Sequence, residues 1–125
     1  MPAGYRDLKV YQIAYELSMK VFEVSKTFPK EETYSLTDQI RRSSRAVCAN
    51  IAEAYRKKRY TKLFLLTISN ADGEASETLV WIDYAKDCGY ISESIYDILS
   101  RGYQEVGKML GSMVRHPERF KINRK

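Results

Sequence analysis

Apolar and small side chains recur at Leu36, Ile40, Ser43, Val47, Asn50, Ile51 and Ala54, in steps of three and four that draw one buried stripe along a helix. The same spacing appears upstream at Leu8, Val10 or Tyr11, Ala14, Leu17, Val21 and Val24, and downstream at Phe64, Ile68, Ala71, Ala75, Thr78, Leu79, Ile82 and Ala85. A last stripe runs through Ile95, Leu99, Gly102, Val106, Met109 or Leu110, and Met113. Punctuation separates them. Asp7 is a plausible first cap, and Phe28-Pro29 ends that helix because proline lacks a donor and pushes its predecessor out of helical geometry. Ser35 with Asp38 reads as a capping pair, Thr61 as the next cap and Gly89 as a left-handed stop. Ser92 opens the last helix, which closes before His116-Pro117. The spacing predicts helices at about 7–27, 35–57, 61–88 and 92–115, then a polar tail over 117–125.

Four helices, three short connections and no strand-period segment predict an all-α fold: an antiparallel up-down four-helix bundle in a single domain of 125 residues. Gly102, Gly107 and Gly111 in the last helix suggest close approach by a neighbouring backbone. Folding the middle hairpin about Arg59 places Arg45 level with residue 73 and Arg41 level with residue 77, which predicts ion pairs to Glu74 and Glu77. Asn50 is expected to be buried, with partners that fix helix register. Gln39, Arg41, Asn50, Glu53, Glu74 and Glu77 thus form the structural polar set.

Charge changes the picture most on the second helix. A second line carries Arg42, Arg45, Ala49, Ala52, Arg56 and Arg59, and residues 35–62 hold eight Lys or Arg against Asp38 and Glu53. Residues 63–91 reverse the sign, with Lys86 against five acids. Such segregation suits either an anionic partner or a match between the two helices. Arg42, Arg45, Arg56, Lys57, Lys58, Arg59, Tyr60 and Lys62 are the candidate nucleic-acid contacts, the cations replacing counterions and the tyrosine stacking on an unpaired base. A solvated, cationic helix end that favours the helix dipole is the plain alternative. Ala46, Ala49 and Ala52 beside the core stripe, with Tyr11, Tyr15 and Tyr96 expected on the surface, point to a homo-oligomer.

Catalytic chemistry finds little to use. A carboxylate-bridged metal pair in a bundle needs two histidines, and the chain has only His116, whose expected role is to meet the carbonyls of a helix end. No phosphate-binding glycine loop and no serine with a histidine base is present, so no enzyme activity, metal or cofactor is expected. Cys48 and Cys88 lack ligand spacing and, in this hairpin, lie roughly 27 Å apart, so both are expected as free core residues. The first residues lack the apolar centre of a secretion signal and no run is long enough to span a membrane, so a cytoplasmic protein is expected.

Phe28-Pro29 followed by Glu32, Leu36, Gln39-Ile40-Arg41-Arg42 and Ala49-Asn50-Ile51-Ala52-Glu53 resembles the signature of the bacterial proteins encoded in intervening sequences of 23S ribosomal RNA genes. The resemblance continues through Gly73, Glu77 and Gly89-Tyr90-Ile91, and departs at Ala54, where the family commonly has glycine. It implies a four-helix bundle without established enzymatic activity that assembles into a ring, a pentamer in known relatives. It also implies kinship with accessory proteins of diversity-generating retroelements, which bind nucleic acid and a reverse transcriptase. Two functions follow as expectations: a ring-forming accessory protein that binds RNA or a DNA–RNA hybrid, or a homo-oligomeric scaffold that recruits an acidic protein.

Overall fold

Each apolar stripe becomes the buried side of a helix. The computed structural model describes residues 4–119 and forms α1 (Lys9–Ser25), α2 (Leu36–Arg56), α3 (Thr61–Asp87) and α4 (Glu93–Arg115), with short 3-10 turns at Tyr5–Asp7, Lys30–Glu32 and Pro117–Arg119. Residues 120–125 of the polar tail lie outside the described residues. The helices pack in cyclic order, α1 on α2, α2 on α3, α3 on α4 and α4 back on α1. Neighbours run antiparallel: Arg41 meets Ser25 while Arg45 meets Phe22, and Tyr96 meets Asp83 while Gly107 lies beside Asp72. This is a single-domain, up-down four-helix bundle with no strand among the described residues.

The helix ends follow local chemistry that is only partly what the sequence suggests. Asp7 lies in the preceding 3-10 turn, and Leu8 occupies the N-cap of α1 without a side-chain cap. At α2 the capping pair is replaced: Glu32 Oε1 accepts from the Leu36 amide (3.2 Å) and from the Ser35 hydroxyl (2.6 Å). Glu32 Oε2 accepts from the Tyr90 hydroxyl (2.8 Å), which ties the start of α2 to the α3–α4 turn. These hydrogen bonds favour the carboxylate, Ser35 most, and hold Glu32 below its ordinary pKa, while the bond to Glu32 lifts Tyr90 to about 12. Thr61 is the first residue of α3 rather than its cap, a place taken by Tyr60. Gly89, at φ 80, closes α3 with amide bonds from Tyr90 to the Ala85 carbonyl and from Gly89 to that of Lys86, a Schellman ending. Ser92 caps α4 through the Ile95 amide (3.2 Å).

The core comprises Leu36, Ile40, Val47, Ile51 and Ala54 of α2, met by Val10, Ala14, Leu17 and Val21 of α1, Phe64, Ile68, Ala71, Ala75 and Ile82 of α3, and Leu99, Val106 and Leu110 of α4. The close approach expected along α4 occurs at Gly102, and against a side chain: a Cβ there would stand 2.5 Å from Leu17 Cδ2. Gly107 and Gly111 face no backbone at such range. Cys48 is buried, which raises its thiol to about 11, whereas Cys88 is exposed beyond α3 and is not the core residue its type suggests; both are free. Tyr11 and Tyr96 are half-buried rather than surface residues, and of the three tyrosines only Tyr15 is exposed. Tyr103 is fully buried, and its hydroxyl has no hydrogen-bond partner among the described residues. The Ser44 hydroxyl, close enough to influence it, donates instead to the Arg41 carbonyl (3.1 Å).

Ile51→Ala should lose about 2 to 4 kcal/mol in urea unfolding, through transfer and cavity terms. Tyr103→Phe should leave stability unchanged or raise it by up to about 1 kcal/mol, because it removes a hydroxyl with no partner among the described residues. Glu32 makes a pH-dependent contribution. Its folded pKa lies below 4.5, so its stabilisation is complete above pH 4.5 and is lost as pH falls through the lowered value. Unfolding midpoints of Glu32→Gln followed from neutral to acid pH should therefore fall less steeply than those of the natural chain.

Candidate nucleic-acid interface

The positive end of the hairpin is built by the way α2 stops. Ala54 stays in the core, α2 remains helical to Arg56, and Lys57 leaves the helix at φ −102, ψ 12 with its amide on the Ala54 carbonyl. The turn closes when the Tyr60 amide donates to the Lys57 carbonyl (2.9 Å), and α3 begins at Thr61. No side chain of residues 57–60 reaches the core. Four consecutive cationic residues are thereby displayed at one corner.

Their environments differ. Lys57 pairs with Glu53 (3.0 Å), an exposed contact between helical neighbours worth about 0.3 to 0.5 kcal/mol. Lys58 lies over the Tyr55 ring, 3.4 Å from its centroid, and donates to the Tyr55 carbonyl (3.3 Å). Arg56, Arg59 and Lys62 are exposed and make no ion pair with a described residue. Tyr60, 59% exposed, stands between Arg59 and Lys62. The corner thus offers three cations without an ion pair to a described residue, together with one accessible aromatic ring.

Arg42 and Arg45 belong to a separate place on the same helix, Arg45 about 16 Å from Arg56 at 1.5 Å per residue. Both are exposed, and Arg45 leans over Phe22 of α1 at 5.8 Å. Arg41 turns the same way: its Nε donates to Ser25 Oγ (2.7 Å), and its guanidinium covers Phe22 at 4.8 Å. The expected pairs from Arg41 and Arg45 to Glu74 and Glu77 do not form. The register is one reason, because Ser43 sits opposite Thr78 and α3 is displaced by three residues, about 4.5 Å, from a hairpin centred on Arg59. Helix rotation is the other, since these arginines point to α1. Glu77 instead accepts from the Trp81 indole (3.2 Å), and the Glu74 carboxylate makes no ion pair among the described residues.

Asn50 is half-buried and donates to the Ala46 carbonyl of its own helix (2.9 Å), so it does not fix register between helices. That role falls to a pair sequence reading passed over. The buried Thr78 hydroxyl bonds the Ser43 hydroxyl at 2.8 Å and reaches the Glu74 carbonyl at the same distance. Small hydroxyl residues on both stripes were the available signal. Gln39 is half-buried beside Trp81 and Tyr84, and Glu53 is committed to Lys57. His116 Nδ1 lies 3.6 Å from Glu118 rather than on the carbonyls of α4. Among the described residues no three His, Cys, Asp or Glu converge on a metal-sized site, and no helix is long and apolar enough to cross a membrane.

Comparison with known proteins agrees with this architecture. A solved protein of unknown function from the S23 ribosomal protein family of Bacteroides thetaiotaomicron VPI-5482 superposes with a TM-score of 0.77 at 25% identity, covering 85% of this chain and 98% of its own. No curated protein sequence matches. Residues 6–112 match the model of the 23S rRNA-intervening sequence protein family, and the chain belongs to that family.

Proposed function

We propose that this protein is a non-catalytic, cytoplasmic accessory protein that assembles into a ring and binds single-stranded or structured RNA, or a DNA–RNA hybrid, through the α2–α3 corner. The observation that carries the reading is the set of exposed cations Arg56, Arg59 and Lys62, without ion pairs to a described residue, in one short stretch of chain with the exposed ring of Tyr60. Cations release counterions from phosphates, and a tyrosine ring stacks on any unpaired base, so the corner favours backbone and single-strand contacts over groove reading. Lys57 and Lys58 add charge while held by Glu53 and Tyr55. Arg42 and Arg45 extend the positive line along α2. A reverse transcriptase is the protein partner that kinship with retroelement accessory proteins suggests.

Ring closure joins two different patches on each protomer. Met19 and Ile98, 45% and 53% exposed, edge an apolar groove of about 320 Å³ between α1 and α4. Leu63 and Leu66, 45% and 59% exposed, begin α3 on the far side. Contact between such patches would place the basic corners around one axis, where repetition multiplies a weak local affinity. Light scattering should give a mass near five times the 14.5 kDa chain, and Ile98→Asp should shift it toward the single chain with helical content retained. A natural protein found at 14.5 kDa at micromolar concentration contradicts assembly.

Nucleic-acid binding is tested by anisotropy of a labelled mixed-sequence RNA across a salt series. The log-log slope should become shallower by about 0.7 for each single-strand phosphate contact removed in Arg56→Gln and Arg59→Gln. Tyr60→Ala should weaken binding with little change of slope, because stacking releases no counterion. Absence of binding to RNA or DNA at about 50 mM salt, where phosphate contacts are strong, would overturn the reading and favour an acidic protein partner.

A further inference from the structure

At the other end of the α2–α3 hairpin lies a pocket of about 390 Å³ with the opposite chemistry. Its walls are aromatic. The Trp81 and Tyr84 rings lie 5.9 Å apart at 40°, and Tyr34, 93% exposed, stands at the rim. The Trp81 indole is fixed by its bond to Glu77, so one wall is held in place before any ligand arrives. The polar lining includes Glu32 and Gln39 and contains no Lys, Arg or His.

We propose that this pocket binds the guanidinium of an arginine side chain presented by a partner protein. A planar cation stacks on Trp and Tyr faces and donates hydrogen bonds in its own plane, where the pocket offers acceptors. A carboxylate has about four acceptor positions. Glu32 uses both on Oε1, for Ser35 and Leu36, and one on Oε2, for Tyr90, which leaves one on Oε2. The Gln39 side chain has no hydrogen bond to a described residue and supplies a carbonyl oxygen. The hydrogen bonds that cap α2 also keep Glu32 ionised, so the charge facing the ligand persists at neutral pH. The exposed acids Glu31, Asp38 and Asp87 adjoin lining residues in the chain, next to Lys30 and to Lys86, the latter paired with Glu93, so the one charged group in the lining, Glu32, is what disfavours a phosphate-bearing occupant. Lysine would carry the charge without the flat stacking surface.

Trp81 is the only tryptophan, so intrinsic fluorescence reports the pocket directly. The full chain is titrated with the amidated peptide Gly-Gly-Arg-Gly-Gly and with the same peptide carrying citrulline, its neutral isostere. The arginine peptide should give a saturable change, and citrulline should bind about tenfold more weakly. Tyr34→Ala and Tyr84→Ala, at exposed positions that leave the core intact, should weaken the arginine peptide several-fold with unchanged helical circular dichroism. Two outcomes overturn the proposal: an equal response to citrulline, or a tighter saturable response to adenosine than to the arginine peptide. Neither of them bears on the basic corner, so this site and the nucleic-acid reading stand or fall separately.

Discussion

The buried contact between Ser43 and Thr78 is the constraint on which the arrangement of α2 depends. Both residues are shielded from water, 1% and 0% exposed, on opposite apolar stripes, and each hydroxyl also reaches a carbonyl of its own helix, Ile40 for Ser43 and Glu74 for Thr78. Sliding α3 along α2 by one turn would separate the pair and bring a hydroxyl against alkyl side chains. The interhelical bond is worth about 1 kcal/mol, and that is what a slide forfeits, because each hydroxyl keeps a carbonyl of its own helix. Apolar packing supplies most of the stability of the hairpin, and the hydroxyl pair selects among packings that apolar residues alone would nearly tolerate.

With the register set, the rotation of α2 decides what its polar residues can do. The side carrying Arg41 meets Ser25 and Phe22 of α1, so that arginine belongs to the architecture. The chain leaves α2 after Arg56, and cations held in the solvent-facing turn meet no acid on α3 beyond the Glu53–Lys57 pair within α2 and its exit. At the far end of the hairpin, Glu32 joins the start of α2 to Tyr90, and aromatic side chains of α3 gather beside it. Arg56 and Gln39, which mark the two ends, are separated by about 25 Å along α2. The same helix pair therefore presents a cationic corner and an acidic, aromatic pocket, well beyond a screening length of about 8 Å from each other.

The four helices were legible because their apolar residues repeat at helical spacing and the breaks carry strong punctuation, Phe28-Pro29, Gly89 and Ser92. Interhelical partners were less legible. A stripe locates the buried side of a helix, but its repeat of three and four permits several registers, and a turn centred on Arg59 differs from the observed alignment by less than one turn. Small rotations then decided whether Arg41 and Arg45 faced α3 or α1. Caps failed for a related reason: Ser35 had the right type and position, but the longer Glu32 side chain reached the Leu36 amide and took the serine hydroxyl as a second donor. Asn50, polar amid an apolar stripe, turned to its own Ala46 carbonyl at the edge of the core. The cationic cluster was legible as composition, while the distinction between tethered Lys57 and Lys58 and open Arg56, Arg59 and Lys62 required coordinates. Trp81, Tyr84 and Tyr34 gave no combined signal, since a chain segment of more than forty residues separates Tyr34 from the other two.

Hydrogen–deuterium exchange of the full chain with and without a single-stranded RNA tests the central claim most directly, because the turn between α2 and α3 is closed only by short-range hydrogen bonds at the surface, which open readily unless covered. The account predicts RNA-dependent protection centred on residues 56–63, with peptides around Glu32, Trp81 and Tyr84 unchanged. Protection centred on that opposite end, or uniform exchange with the turn unaffected while RNA is bound, would contradict it.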